Sequence, residues 1–95
     1  MLTELFHIIE DRKANPRPGS YTSLLFAEGE DAILKKVGEE AMEVILAAKG
    51  QGAQRMVEEV ADLFYHTLVL LSSQGISLSE LEEELRRRHQ RKISA

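Results

Sequence analysis

Apolar residues recur along this chain with the period of an α-helix, and no stretch alternates as a strand would. Leu2, Leu5, Phe6 and Ile9 fall at i, i+3, i+4 and i+7, which predicts an amphipathic helix from about Thr3, a good N-cap, to about Lys13. Two prolines and a glycine within 15–19 end it in a stiff, exposed loop. The stretch 20–26 reads as a connector or a short helical turn, capped by Ser20 or Thr22 and anchored by Leu25 and Phe26. Gly29 breaks the chain, and Glu30 and Asp31 suit the first turn of a second helix reaching about Lys49. Gly38 sits inside that helix at a cost of roughly 1 kcal/mol relative to Ala, which the close approach of another backbone or a ligand would explain. Beyond the turn at 50–52, a third helix spans about 53–73 and is apolar on nearly all sides over 56–71. Ser77 and Glu80 have the spacing of a capping box for a fourth helix reaching about His89, with a basic tail over about 90–95. Four helices on short connections imply an all-α, four-helix bundle forming a single domain over 1–95.

The third helix changes that picture from monomer to assembly. A chain of 95 residues hides only a little over ~60 % of the surface its unfolded form exposes. Met56, Val57, Val60, Leu63, Phe64, Leu68, Leu70 and Leu71 give this helix more apolar circumference than one such subunit covers. The bundle is therefore expected to be completed by homodimerisation, or by a higher homo-oligomer. There is no cysteine, which removes disulfides and thiolate metal sites. The N-terminal residues lack a basic region followed by an unbroken apolar run, and no segment approaches the roughly 20 apolar residues of a membrane span. A cytoplasmic protein with no membrane partner is expected. A net charge of −4 argues against nucleic-acid binding, although Arg86, Arg87, Arg88, Arg91 and Lys92 gather basic charge near the C-terminus. Arginines late in a helix also suit its dipole, so solvated surface charge is the expected role for most of them.

The candidate chemistry lies in acids that interrupt the apolar stripes. Glu40 with Glu43, and Glu59 with Asp62, are i, i+3 pairs, so each pair points from one face of its helix. Most glutamate-rich helices carry no more than a solvated face, but here two pairs sit in helices expected to pack together. Four carboxylates converging out of water repel one another unless a cation joins them, and an all-oxygen set selects a hard one such as Mg²⁺. Lys35 and Lys36 lie one turn before the first pair, placed to hold phosphate or to pair with acids on the helix surface. Ser20, Tyr21 and Thr22 read as part of an ordinary connector, and become donors to a phosphorylated substrate only through a family resemblance.

Glu-Glu-x-x-Glu at 39–43, followed by Glu-x-x-Asp at 59–62, resembles the metal motif of the MazG-like all-α nucleoside triphosphate pyrophosphohydrolases. Ser20-Tyr21-Thr22-Ser23 with Leu25-Phe26, the run 35–41, Glu43-Val44 with 47–49, and Glu59 through 61–63 with Tyr65-His66 narrow the likeness to the phosphoribosyl-ATP pyrophosphatase branch, over about 3–89. The resemblance implies Mg²⁺-dependent hydrolysis of phosphoribosyl-ATP to phosphoribosyl-AMP and pyrophosphate, the second step of histidine biosynthesis. It implies Glu40, Glu43, Glu59 and Asp62 as metal ligands, with Glu39 and Glu58 as outer-shell or alternate ligands. An acid not saturated by metal would serve as base, and Glu39 or Glu58 is the candidate. His66, four residues after Asp62, is either a core histidine or one that orients Asp62. His7 and His89 offer no partner spacing. The chain departs from the pattern at Leu24 and Ala32, where relatives often carry a basic residue. The cyclohydrolase domain to which many relatives are fused is not found within these 95 residues.

Three other readings compete. A sibling enzyme hydrolysing canonical or damaged dNTPs would use the same metal site. A redox or metal-storing carboxylate bundle would need a Glu-x-x-His pair, and the residue three before His66 is Leu63. A non-catalytic helical dimer would make the acids incidental and would gain no stability from metal.

Overall fold

Among the described residues every regular element is a helix, and the computed structural model contains five where the sequence suggested four: α1 (Leu2–Ala14), α2 (Tyr21–Glu28), α3 (Glu30–Gly50), α4 (Ala53–Ser73) and α5 (Leu78–Ser94). The structure describes residues 1–94. Ala95 and the side chains of 92–94, part of the expected basic tail, lie outside the described residues. The additional helix is the stretch after the prolines. Ser20 has an extended backbone and its Oγ accepts from the Ser23 N–H at 3.1 Å, an N-cap that turns the connector into eight helical residues. Thr3 caps nothing, because α1 already begins at Leu2 with Met1 at the N-cap position. α5 passes His89 with no glycine or proline to stop it. Its exposed face carries Glu83–Arg86 at 2.6 Å, Glu84–Arg88 at 3.0 Å and a Glu84–Arg87 pair, so the arginine cluster is answered within its own helix.

Gly29 makes the break between α2 and α3. Its φ of 100° with ψ of −178° lies in a region essentially reserved for glycine, so it closes α2 and opens α3 within one residue. The expected capping box at α5 forms from both sides. The Ser77 N–H donates to Glu80 Oε2 at 2.8 Å, and the Glu80 N–H donates to Ser77 Oγ at 3.2 Å.

α3 and α4, 21 residues each and joined by two, fold back on one another as the central hairpin. α1, α2 and the start of α5 cover one side of it, burying Phe6, Ile9, Leu25, Ile33, Leu68, Val69 and Leu78 in a single cluster. Among the described residues nothing covers the other side of the hairpin. Val57 is 64 % and Phe64 52 % exposed, and Met42, Ile45 and Leu46 on α3 are also open to solvent. Gly38 belongs to this unpartnered part of α3: a Cβ built there would meet no atom of the described residues within 4 Å, so the expected close approach does not come from among them.

A polar link ties α1 to α4 at the rim of the core. Ser72, 1 % exposed, donates to Glu10 Oε2 at 2.6 Å; Lys13 Nζ donates to the Ser72 carbonyl at 2.7 Å and sits 3.1 Å from Glu10. The Ser72 hydrogen bond is the main reason the Glu10 carboxyl titrates below its ordinary value, outweighing the opposing effect of burial. Ser72→Ala is expected to lower stability at neutral pH by about 1 kcal/mol, a modest figure because the carboxylate remains two-fifths exposed. A depressed folded-state pKa contributes stability that is present above 4.5 and is lost as pH falls through the lower folded value. The gap between wild type and variant in urea unfolding should therefore narrow below pH 4.5; a gap independent of pH would show that Glu10 contributes nothing through Ser72.

Candidate functional site

The packing of α3 on α4 decides which acids meet. Glu40 from α3, and Glu59 and Asp62 from α4, each present a carboxylate oxygen within 4.8 Å of the others. The helical period sets the α4 pair, since residues three apart share a face. Glu40 is 9 % and Glu59 5 % exposed, so two of the three are removed from water, while Asp62 stands at the open edge. The expected convergence of four is thus a trio with a fourth beside it. Glu43 lines the same groove, about 540 Å³ in volume, together with Lys36, Glu39, Met42 and Arg55.

Buried carboxylates need counter-charge, and two side chains supply it. Lys36 Nζ lies 3.4 Å from Glu40 and 3.7 Å from Glu39. Burial works against the Lys36 ammonium, yet Tyr21, Glu40 and Glu39 outweigh it and hold the group above its ordinary pKa. Arg55 pairs with Glu59 and bonds Glu58 at 2.6 Å. Sequence reasoning passed over Arg55, although its i, i+4 spacing to Glu59 was a legible signal. Glu58 takes hydrogen bonds from Gln54 and Arg55 that lower its carboxyl pKa, and it does not line the groove. Glu39 does line it.

The hydroxyls at 20–22 have partners inside the chain. Ser20 caps α2, Thr22 Oγ1 bonds the Tyr65 hydroxyl, and the Tyr21 hydroxyl is 2.9 Å from His66 Nε2. Burial raises the pKa of the Tyr21 phenol, and the charges of Lys36 and Glu40 act on it, but Tyr21 does not line the groove. His66 is buried and hydrogen-bonded, the first of its two readings; it meets Asp62 through the backbone carbonyl, with Nδ1 2.7 Å away, and not through the carboxylate as the second reading required. Lys35 is exposed and does not line the groove, leaving Lys36 as the lysine at the site.

The donor set suits a hard divalent cation. It consists of carboxylate oxygens, closely spaced, all on the α3–α4 pair and two of the three buried, with an open edge at Asp62.

Comparison with known proteins places this arrangement in a family. Residues 2–89 match the family model for phosphoribosyl-ATP pyrophosphohydrolase. A phosphoribosyl-ATP pyrophosphatase of Clostridium acetobutylicum is 50 % identical over 91 residues, covering 96 % of this chain and 83 % of the relative. Enzymes of the same name from Lactiplantibacillus plantarum, 52 % identical over 87 residues, and Listeria welshimeri, 54 % over 88, cover 92 % and 93 % of this chain and 82 % and 84 % of the relatives. With the acidic trio in the groove between its two longest helices and a match running from the start of α1 into α5, the chain belongs to the phosphoribosyl-ATP pyrophosphohydrolase family.

Proposed function

We propose that this chain hydrolyses phosphoribosyl-ATP to phosphoribosyl-AMP and pyrophosphate in histidine biosynthesis, with Mg²⁺ held by Glu40, Glu59 and Asp62 and flanked by Glu43. The observation that carries the reading is the convergence of three carboxylates in a groove that also holds two basic side chains. Mg²⁺, when bound, neutralises charge on the phosphoryl oxygens and orients the chain of phosphates. The residues of this chain supply the rest. Lys36 neutralises phosphate at the α3 edge, Arg55 does so at the α4 edge once released from Glu59, and Glu39 accepts the proton of the attacking water. The match to relatives named for this reaction over most of their length supports the substrate. The distinguishing experiment is turnover of phosphoribosyl-ATP against a panel of dNTPs; faster turnover of any dNTP would move the chain to the house-cleaning reading.

Lys36→Ala is expected to lower kcat/KM by about 1.5–3 kcal/mol, the usual worth of a hydrogen bond to a charged group, and more steeply at low ionic strength. Lys35→Ala should leave the kinetics near wild type. Equal effects of the two substitutions would remove Lys36 from the phosphate site.

The working form is a homodimer, closed over the bare side of the α3–α4 hairpin. Its setting is the cytoplasm, in keeping with a nucleotide substrate and a chain without cysteine. Among the described residues no helix is long and apolar enough to cross a membrane.

A further inference from the structure

Each buried acid of the trio has a cation four residues before it on its own helix. Lys36-x-x-Glu39-Glu40 on α3 and Arg55-x-x-Glu58-Glu59 on α4 share one pattern, in which the second glutamate is buried and the first is exposed. The two walls differ in how the first glutamate is used. Lys36 Nζ is 3.7 Å from Glu39, beyond hydrogen-bond reach. Arg55 is forked between its two acids: Nη1 donates to Glu58 Oε1 at 2.6 Å, and Nη2 donates to Glu59 Oε1. Glu58 is itself held, its other oxygen accepting from Gln54 Nε2 at 3.2 Å.

The two bonds of Arg55 hold unequal partners. The Glu59 side chain is 6 % exposed and belongs to the trio with Glu40 and Asp62, whereas those of Glu58 and Arg55 are 44 % and 49 % exposed. A carboxylate removed from water beside two others needs a positive charge, and on α4 Arg55 supplies it. A divalent cation in the trio would meet the same need with twice the charge, and a guanidinium on one of its ligands would oppose it by like-charge repulsion. Metal and Arg55 therefore compete for Glu59. Loss of the Nη2 bond does not set the side chain adrift, because Nη1 stays on Glu58, an acid outside both the trio and the groove. Arg55 lines that groove, so the released Nη2 keeps its hydrogens at the α4 wall, where a phosphate oxygen accepts them.

We propose that Arg55 is the resident counter-cation of Glu59, exchanged for the divalent metal, and that Glu58 is a positioning residue which keeps the released guanidinium at the groove for a phosphate of the substrate. The proposal rests on the Mg²⁺ and phosphoribosyl-ATP reading above and deepens it. Arg55 opposes the metal in the nucleotide-free chain and acts with it once phosphate has joined them, and Glu58 has a role other than proton transfer or metal ligation.

The test begins without substrate. Mn²⁺ takes the same oxygen ligands as Mg²⁺, and its free fraction is read by electron paramagnetic resonance. Titrated into the full chain, it should bind Arg55→Met about tenfold more tightly than wild type, because no charged hydrogen bond at Glu59 has to be broken first. Lys35→Met removes an exposed charge outside the groove and should bind within about twofold of wild type. With phosphoribosyl-ATP and Mg²⁺, Arg55→Met should instead lower kcat/KM about tenfold, chiefly through KM, because a phosphate contact of the ground state is lost. Metal affinity and activity thus move in opposite directions, which a residue that merely stabilised α4 would not produce. Glu58→Gln should weaken Mn²⁺ binding, since Arg55 then rests on Glu59 alone, lower kcat/KM about threefold, and add nothing to Arg55→Met. Unchanged or weaker Mn²⁺ binding by Arg55→Met, an equal gain in Lys35→Met, or losses of Glu58→Gln and Arg55→Met that multiply would overturn the proposal. Should Arg55→Met fail to fold, Arg55→Gln, which keeps hydrogen bonds to the acids and loses the charge, carries the same comparison. A wild-type chain that binds no Mn²⁺ would overturn the proposal together with the metal reading. One that shows the expected shift in Mn²⁺ affinity but leaves phosphoribosyl-ATP intact would refute the substrate reading and support the exchange at Glu59.

Discussion

Glu40→Gln and Asp62→Asn should each reduce pyrophosphate release from phosphoribosyl-ATP by about a thousandfold or more, since under the proposed Mg²⁺ site each removes a full ligand charge worth several kcal/mol of charge stabilisation. The fold should survive both, because the buried cluster of Phe6, Ile9, Leu25, Ile33, Leu68, Val69 and Leu78 involves none of the acids. The two variants should differ in metal-free stability. Asp62 has no ion pair among the described residues and stands beside two buried carboxylates, so neutralising it relieves repulsion and should raise the melting temperature slightly. Glu40→Gln gives up its pairing with Lys36, which offsets the relief. In the wild type, added Mg²⁺ should raise the melting temperature by mass action, and both variants should lose that response. Near-wild-type turnover in both would remove Glu40 and Asp62 from the site.

Phe64→Glu should convert the protein to monomer and lower its stability together. Val57, Ala61 and Phe64 fall at i, i+4 and i+7 on α4 and form an exposed apolar stripe, continued across the hairpin by Met42, Ile45 and Leu46. Burying a phenylalanine contributes about 1.5–3 kcal/mol, and a two-fold interface counts each substitution twice, so dimer dissociation should shift by roughly a hundredfold to ten-thousandfold. Sedimentation equilibrium across a concentration series reads this directly. A wild-type chain that stays monomeric and folded at micromolar concentration would contradict the homodimer. Gly38 lies on the same unpartnered part of the hairpin, where the lack of a side chain would let a second copy approach closely.

Much of this molecule is written in local pattern. The two long helices announce themselves because Gly29, Gly50-Gln51-Gly52 and Gly75 punctuate otherwise continuous helical periodicity, and α3 and α4 fall within a residue or so of their expected ends. α2 was ambiguous because eight residues with apolar side chains on most faces have no clear period; only the Ser20 cap marks them, and a serine after prolines caps a turn as readily as a helix. At the site, spacing alone put Glu59 and Asp62 on one face. The register between α3 and α4, which brings Glu40 into the trio and leaves Glu43 at its rim, depends on side-chain packing across the hairpin that no single helix encodes. The same holds for His66. Its distance of four residues from Asp62 suggested a link to that carboxylate, but at this spacing an imidazole also reaches the backbone carbonyl one turn back, and tertiary packing of Tyr21 and Tyr65 settles which contact forms.

The central claim is that the Glu40, Glu59 and Asp62 groove is an Mg²⁺-dependent site for phosphoribosyl-ATP, and it is met most directly by following this substrate by phosphorus-31 NMR with purified wild-type chain. With Mg²⁺ the substrate signals should give way to equal amounts of phosphoribosyl-AMP and pyrophosphate, and chelation of the metal should stop the conversion. Persistence of phosphoribosyl-ATP in the presence of Mg²⁺, or hydrolysis that continues undiminished after chelation, would contradict the account.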